Sequence, residues 1–212
     1  MKNLLMFSII FIVSCSVGAI NKMNKSDLRE ALVSSLHDMD YLRSSKGSKL
    51  YDIELVSSES IDNYSFYKFT SFEPLFNEHD FIFAKETNSE KIILLTESLK
   101  NFNALLINEA SNEEQAITVA REFLYLTRPF YKLFVLIDNQ EKVKEWLNDS
   151  IQFDLQPSQI EMRKSKKGFV GEVYVLIGKQ LIKREIAIHG ANVSFNDTLL
   201  DDDAGKFLNP HY

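Results

Sequence analysis

The sequence predicts an α+β fold in which helices pack on antiparallel β-sheet. Three observations support this class. Short apolar runs with strand periodicity follow one another in the first half of the chain without helices between them. One helix with clear start and stop signals comes next, and alternating strands joined by tight turns fill the last third. Sixteen Phe and eight Tyr against seven Gly and four Pro also favour packed strands over long loops.

Residues 26–108 are predicted to form an N-terminal α+β region. A helix over residues 27–43 opens it, because leucines recur there at helical spacing behind Ser26, a good N-cap residue. Four strands are predicted after it, over residues 51–56, 64–69, 81–84 and 92–95. Strands in direct succession indicate an antiparallel meander. The aromatic run Phe66, Tyr67 and Phe69 is interpreted as core, with the lining of a pocket as the alternative.

Residues 109–200 are predicted to form a C-terminal helix followed by antiparallel sheet. A short helix around Phe102 precedes this region. Ser111-Asn112-Glu113-Glu114 has the pattern of a capping box with Ser111 as the N-cap, and the helix it opens must end before Pro129. The apolar stretch 130–137 predicts a central strand covered on both faces, and residues 142–147 a short helix.

The last third is predicted to be a meander with tight turns. Residues 151–155 predict an edge strand before Pro157, and Gly178-Lys179 a two-residue turn of type II′. A hairpin turn is predicted over residues 165–168, and further strands are predicted over residues 169–177, 181–189 and 192–195. The acidic tail, residues 201–212, is expected to be frayed.

The order of one long helix followed by a strand-rich meander resembles the cystatin-like or NTF2-like class of folds. That resemblance implies a curved antiparallel sheet wrapped around the helix. It concerns element order alone, and no inhibitor signature of the Q-x-V-x-G type occurs in this chain. Folds of this class carry enzymes, inhibitors, immunity proteins and adaptors, so the resemblance constrains function poorly.

The first residues have the pattern of an export signal. Lys2 precedes an apolar run from Leu4 to Val13, which is too short to cross a bilayer as a helix. Residues 1–14 are interpreted as the signal peptide, with residues 1–19 as the alternative, and residues 15–25 as a tether.

Ile12-Val13-Ser14-Cys15 resembles a bacterial lipobox. The resemblance implies cleavage before Cys15 and lipidation of that cysteine, because two or more acyl chains hold a protein on a membrane where one does so only marginally. It places the mature chain on the periplasmic side of the cell envelope, with Ser16 favouring the outer membrane. The alternative is an ordinary signal cleaved before Ile20, which would release a soluble secreted protein.

The composition argues against nucleic acid as a partner. A formal net charge of -6 repels phosphates, and no dense basic stripe offsets it. The basic cluster at residues 163–167 is interpreted as a solvated hairpin tip, with an anion-binding patch as the alternative.

No catalytic, cofactor or metal site is predicted. The four histidines (His37, His79, His189 and His211) are far apart, and Asp197, Asp201, Asp202 and Asp203 lack the spacing of a calcium loop. There is no nucleophile elbow and no phosphate-binding glycine loop. Three hypotheses result: a non-enzymatic envelope lipoprotein that binds another envelope protein or itself; a small-ligand carrier with an aromatic cleft between helix and sheet; and a periplasmic hydrolase.

Overall fold

The fold was analysed in a computed structural model, which describes residues 26–28, 30–31, 51–71, 79–89, 91–129, 133–151 and 155–206. The signal peptide, Cys15 and the tether lie outside the described residues. Residues 26–28, 30 and 31 are helical, and the remainder of the helix predicted over 27–43 lies outside the described part of the chain.

The first half of the chain forms a four-stranded antiparallel meander, as predicted. The strands β1 (Tyr51–Val56), β2 (Tyr64–Ser71), β3 (His79–Glu86) and β4 (Ile92–Leu94) lie in the order of the sequence. Phe66 and Phe69 of β2 are at most 1% exposed, which confirms the core prediction for these two residues, whereas Tyr67 is half-buried.

Two helices follow this first sheet: α1 (Leu99–Leu105) and α2 (Glu113–Leu126). The predicted N-cap of α2 is wrong by one residue. The side chain of Asn112, not Ser111, accepts the hydrogen bond of the Gln115 N–H, at 2.9 Å. The Gln115 side-chain oxygen accepts hydrogen bonds from the Ser111 N–H and hydroxyl at 2.9 and 2.8 Å, so the side chain that reaches back to the start of the helix is Gln115 and not the predicted Glu114.

The second sheet contains β5 (Phe134–Ile137), β6 (Glu161–Ser165), β7 (Gly168–Ile177), β8 (Gln180–His189) and β9 (Asn192–Asp201). Neighbours are antiparallel in the order β5-β7-β8-β9, and β6 pairs with another part of β7. The predicted hairpin turns are confirmed, and Gly178 and Gly190 occupy them with φ of 63° and 60°. Both values lie in the left-handed region that glycine adopts without strain. The strand β9 has ten residues where the sequence predicts four.

The strand β5 is covered on both faces but is not central, so that prediction was partly wrong. Within the described chain it pairs only with β7. Phe134 and Leu136 pack against the main core, while Val135 and Ile137 belong to a smaller cluster with helix α3 (Gln140–Trp146). A strand packed on both faces is apolar throughout, even at the edge of a sheet.

Two segments differ from their predictions. Ile151 lies in a turn and residues 155–160 have no strand pairing, while residues 152–154 of the predicted edge strand lie outside the description. The C-terminal tail is packed against the rest of the chain as far as Lys206. Gly205 forms a β-bridge with Leu147, and Ala204 is fully buried. Residues 207–212 are outside the described chain.

One main core joins both sheets and the two helices. Its buried residues come from the first sheet, α1, α2 and the second sheet, and Phe102 of α1 meets Phe123 of α2 with ring centroids 5.8 Å apart. The helices therefore lie between two sheets, and α3 covers part of the opposite face of the second sheet. This packing places β9 beside α1 at one side of the second sheet.

Candidate functional site

The site proposed for function is the outer edge of β9, defined here as the backbone of residues 193–199 on the side away from β8. β9 pairs with β8 from Asn192 to Asp201, with a bulge near Leu200. No other strand in the described residues pairs with it. An antiparallel strand turns the N–H and C=O of alternate residues towards one neighbour and those of the remaining residues towards the other.

The first outward-facing residue of this edge already has a partner within the chain. The Asn103 side chain of α1 accepts a hydrogen bond from the Val193 N–H and donates one to the Val193 carbonyl, both at 2.8 Å. The Asn103 amide therefore satisfies the outer N–H and C=O groups of Val193, as the backbone of a neighbouring strand would. It also shows that the backbone groups of Val193 point away from β8.

The next outward-facing residues are Phe195, Asp197 and Leu199, because orientation alternates along the strand. No hydrogen bond from another described residue reaches their outer N–H and C=O groups. Their side chains share the face of the sheet that carries the core. Phe195 is 40% exposed and Leu199 54%, and the bulged Leu200 beside them is 46% exposed. Free backbone groups and exposed apolar side chains therefore occur together.

An ion pair between a buried arginine and a partly exposed aspartate lies at the middle of this edge. Arg184 on β8 faces Asp197 across the strand pair, and its Nε and Nη2 donate to the two carboxylate oxygens at 2.7 and 2.8 Å. The guanidinium also lies 4.2 Å from the centroid of the Phe195 ring, which in turn lies 5.6 Å from Phe123 of α2. A bidentate pair with a stacked ring holds both side chains in one geometry.

The opposite face of β9 is polar and solvent-exposed. Ser194, Asn196 and Thr198 lie there, and Lys183 of β8 is paired in register with Thr198. The Lys183 Nζ lies 2.8 Å from the Glu172 carboxylate, and this hydrogen bond raises the pKa of Lys183 above its ordinary value. The lysine beside this face is thus paired within the sheet.

The helix–sheet interior is filled by side chains at the position where the carrier hypothesis expects a cleft. Phe102 and Phe123 are at most 1% exposed there. A groove of about 500 Å³ occurs instead at the N-terminus of α2. Its lining is mainly polar and acidic, and its two apolar residues are Ala110 and Val119. The other lining residues are Glu59, Ser60, Asn108, Glu109, Asn112, Glu114, Gln115 and Thr118.

The structure does not bring the candidate ligand residues together. Cys15, His37 and His211 lie outside the described residues, and His189 is exposed at the end of β8. Asp197 pairs with Arg184, and Asp203 lies 2.8 Å from the Lys179 Nζ. Among the residues described, no group of three or more His, Cys, Asp or Glu side chains could hold a metal ion. The basic cluster at 163–167 is a hairpin tip, as predicted.

Sequence reasoning missed the outer edge of β9 because Asp197 interrupts the apolar alternation of Val193, Phe195 and Leu199. The same period-two pattern, with Asp197 accepted as an inward charge, would have extended the strand. Asn103 and Arg184 carry no such signal, because their roles depend on partners far away in the sequence or across a strand pair.

Comparison with known proteins adds no relative. No family model, curated protein or solved structure matches this chain. Within the described ranges, no helix is long and apolar enough to span a membrane. Function is therefore inferred from the sequence and from the geometry of β9.

Proposed function

We propose that this chain is a non-enzymatic, lipid-anchored protein-interaction module of the bacterial cell envelope, and that its partner docks on the outer edge of β9. One observation carries the proposal. From Phe195 to Leu199, unpartnered main-chain groups lie beside exposed apolar side chains in the described structure. This is the arrangement on which an extended strand from another protein adds to a sheet.

Proteins protect an exposed sheet edge with lysine, proline, an uncompensated inward charge or a covering element. Residues 193–200 contain no Lys, Arg or Pro. Their one charge, Asp197, is neutralised by Arg184, and the described part of α1 covers the edge only at Val193 through Asn103. The part of the edge that carries the exposed apolar side chains therefore lacks these protective features, which supports docking there.

Two further features support the assignment. The lipobox at residues 12–15 would place the module at a membrane, where partners in the envelope are concentrated. The packing of α2 on one face of the second sheet is compatible with a cystatin-like or NTF2-like arrangement. Folds of that class support binding as readily as catalysis, so the assignment rests on β9 and not on the fold.

The anchor is tested by fractionation. Cys15→Ser should move the chain from the membrane fraction to the soluble fraction, because the variant has no thiol for lipid attachment. Intact mass of the membrane-extracted parent should show cleavage before Cys15 and the added acyl chains. A Cys15→Ser chain that stays with membranes as the parent does would remove the anchor from the proposal.

The docking edge is tested by photo-crosslinking in cells. A photoreactive phenylalanine analogue is placed at Leu199 or, as the matched control, at Leu55 of β1, which is 66% exposed on the other sheet. Irradiation should give a discrete protein adduct from position 199 and none from position 55. Absence of any protein adduct at position 199 would contradict the proposal.

A further inference from the structure

We infer that the partner strand is β9 of a second copy of this chain, which pairs antiparallel across a twofold axis at Asp197. This inference rests on the proposed function, because it names the occupant of the same edge. A closed dimer would bury both free edges in one interface and leave neither open to further strand addition.

The residue pattern of β9 is symmetric about Asp197. Residues 195–199 read Phe-Asn-Asp-Thr-Leu, which is apolar, polar, acidic, polar, apolar in either direction. A twofold axis at Asp197 places Phe195 opposite Leu199 of the second copy, and Asn196 opposite Thr198. Apolar side chains then meet on one face and hydrogen-bonding side chains on the other, which are favourable cross-strand pairs.

The main chain fits the same register. Phe195, Asp197 and Leu199 all turn their N–H and C=O groups outward, so each faces an outward residue of the second copy. Residues that face each other in this way exchange two hydrogen bonds, which gives roughly six across the axis. Pairing cannot continue through Val193 while Asn103 occupies its backbone groups.

The charges also permit this register. Two Asp197 carboxylates would approach each other at the axis, but each already accepts two hydrogen bonds from its own Arg184. The Nη1 of Arg184 makes none of the described hydrogen bonds and remains able to donate to the second carboxylate. The centre of the interface would then hold two cations and two anions with no net charge.

Neighbouring registers of the two strands give less favourable cross-strand side-chain pairs. An axis at Asn196 places Phe195 opposite Asp197, and an axis at Thr198 places Leu199 opposite Asp197 and Phe195 opposite Asp201. Each sets an apolar side chain against a carboxylate, whereas the axis at Asp197 does not. Five residues a side is a small interface compared with the roughly 1,600 Å² that stable complexes bury. The expected dimer is therefore weak in dilute solution and favoured by confinement on a membrane.

The register is tested by cysteine crosslinking of the full chain. In the proposed pairing Asn196 and Thr198 form non-hydrogen-bonded pairs, whose side chains are close enough for a disulfide. Asn196→Cys with Thr198→Cys should give a species of twice the chain mass on oxidation with copper phenanthroline. The matched control, Ser194→Cys with Asn196→Cys, places no cysteine opposite another, and the parent with Cys15 alone sets the baseline. All three positions are exposed on the polar face.

A second variant pair reports on affinity without crosslinking. Leu199→Lys should weaken dimerisation at least tenfold in analytical ultracentrifugation of the detergent-extracted chain, because it places a charge opposite Phe195. The matched control, Leu55→Lys, should leave dimerisation unchanged. Circular dichroism would establish that both variants keep the fold.

The outcomes separate the two proposals. Disulfide dimers from the first cysteine pair and not from the control support self-pairing at Asp197. Equal crosslinking of both pairs, or of neither, overturns it. If position 199 then photo-crosslinks to a different protein, the proposed function stands with another partner; if it crosslinks to no protein, the proposed function fails as well.

Discussion

Arg184 is the only charged side chain that the described structure buries, and its position determines how the edge of β9 is held. It lies on the core face of the second sheet, at a position in β8 where isoleucines precede and follow it at alternate residues. Asp197 satisfies two of its donor groups, and Phe195 lies over its plane. A buried guanidinium is tolerated only with such partners. Asp197 is therefore needed to stabilise Arg184, in addition to its place at the edge of the sheet.

Asp197→Ala should lower the free energy of unfolding by about 2–3 kcal/mol, because it leaves the buried guanidinium without its acceptor. Arg184→Met with Asp197→Ala should be more stable than Asp197→Ala alone, since the unpaired charge is then absent. Urea denaturation of the four members of this double-mutant cycle measures the coupling. Additive effects of the two substitutions would show that the ion pair does not hold β9.

A second residue-scale prediction concerns pH. The Lys68 Nζ lies 2.9 Å from the Glu54 carboxylate, and this hydrogen bond, assisted by Asp80, outweighs partial burial and raises the pKa of Lys68 above 10.5. A raised lysine pKa stabilises the folded chain fully below the unfolded pKa, and the contribution is lost as pH rises through the folded value.

Unfolding free energy should therefore fall above pH 10.5, and less steeply in Lys68→Met, which carries no titrating group at this position. Denaturation of the parent and the variant between pH 9 and 12 tests this difference. Identical slopes would show that the pair with Glu54 does not persist in solution.

At the scale of elements, helix α2 shows how a capping signal can be recognised and still be misplaced. Ser111 and Asn112 are adjacent, and both are good N-cap residues. A glutamate lies three residues after Ser111 and a glutamine three residues after Asn112, so the sequence offers two boxes one residue apart. In the structure Asn112 accepts from the Gln115 N–H, and the Gln115 side chain accepts from Ser111 rather than from the Asn112 N–H.

Asn112→Ala should lower stability by about 1 kcal/mol, because the Gln115 N–H loses its acceptor. Ser111→Ala should cost less, since the Ser111 hydroxyl bonds an exposed side chain and its backbone N–H is kept. Thermal unfolding of the two single variants decides the cap. A larger loss in Ser111→Ala would restore the cap that the sequence predicts.

For the whole molecule, the decisive feature is one core shared by both sheets. Buried residues of the first sheet, of the second sheet and of α1 and α2 belong to the same cluster. The smaller cluster around α3 is joined to this core through β7 and β8, because neighbouring residues of these strands lie in different clusters. Val175 and Ile182 belong to the main core, whereas Leu176 and Leu181 belong to the smaller cluster. In the described part of the chain, the first sheet and the second sheet therefore share one buried cluster.

The chain should therefore unfold in a single cooperative transition. Trp146, the only tryptophan, belongs to the α3 cluster, whereas far-UV circular dichroism reports on both sheets. The two signals should have the same midpoint in urea. Phe102→Ala should shift both midpoints together, with a loss of about 3–5 kcal/mol for a large core side chain. Separate midpoints would show that the α3 cluster or one sheet unfolds independently.

The local elements follow from patterns in the amino-acid sequence. Hydrophobic periodicity located the meander of β1 to β4, the helices α1 and α2 and the hairpins of β7 to β9, because each depends on residues close together in the chain. It also carries the export signal and the lipobox, which remain predictions. Which strand lies at an edge, and that Asn103 satisfies the outer backbone groups of Val193, became clear only from the tertiary structure. The ten-residue length of β9 was decided in the same way, because Arg184 accepts an aspartate where local patterning expects an apolar residue. These outcomes depend on partners that meet only when the two sheets close on their helices.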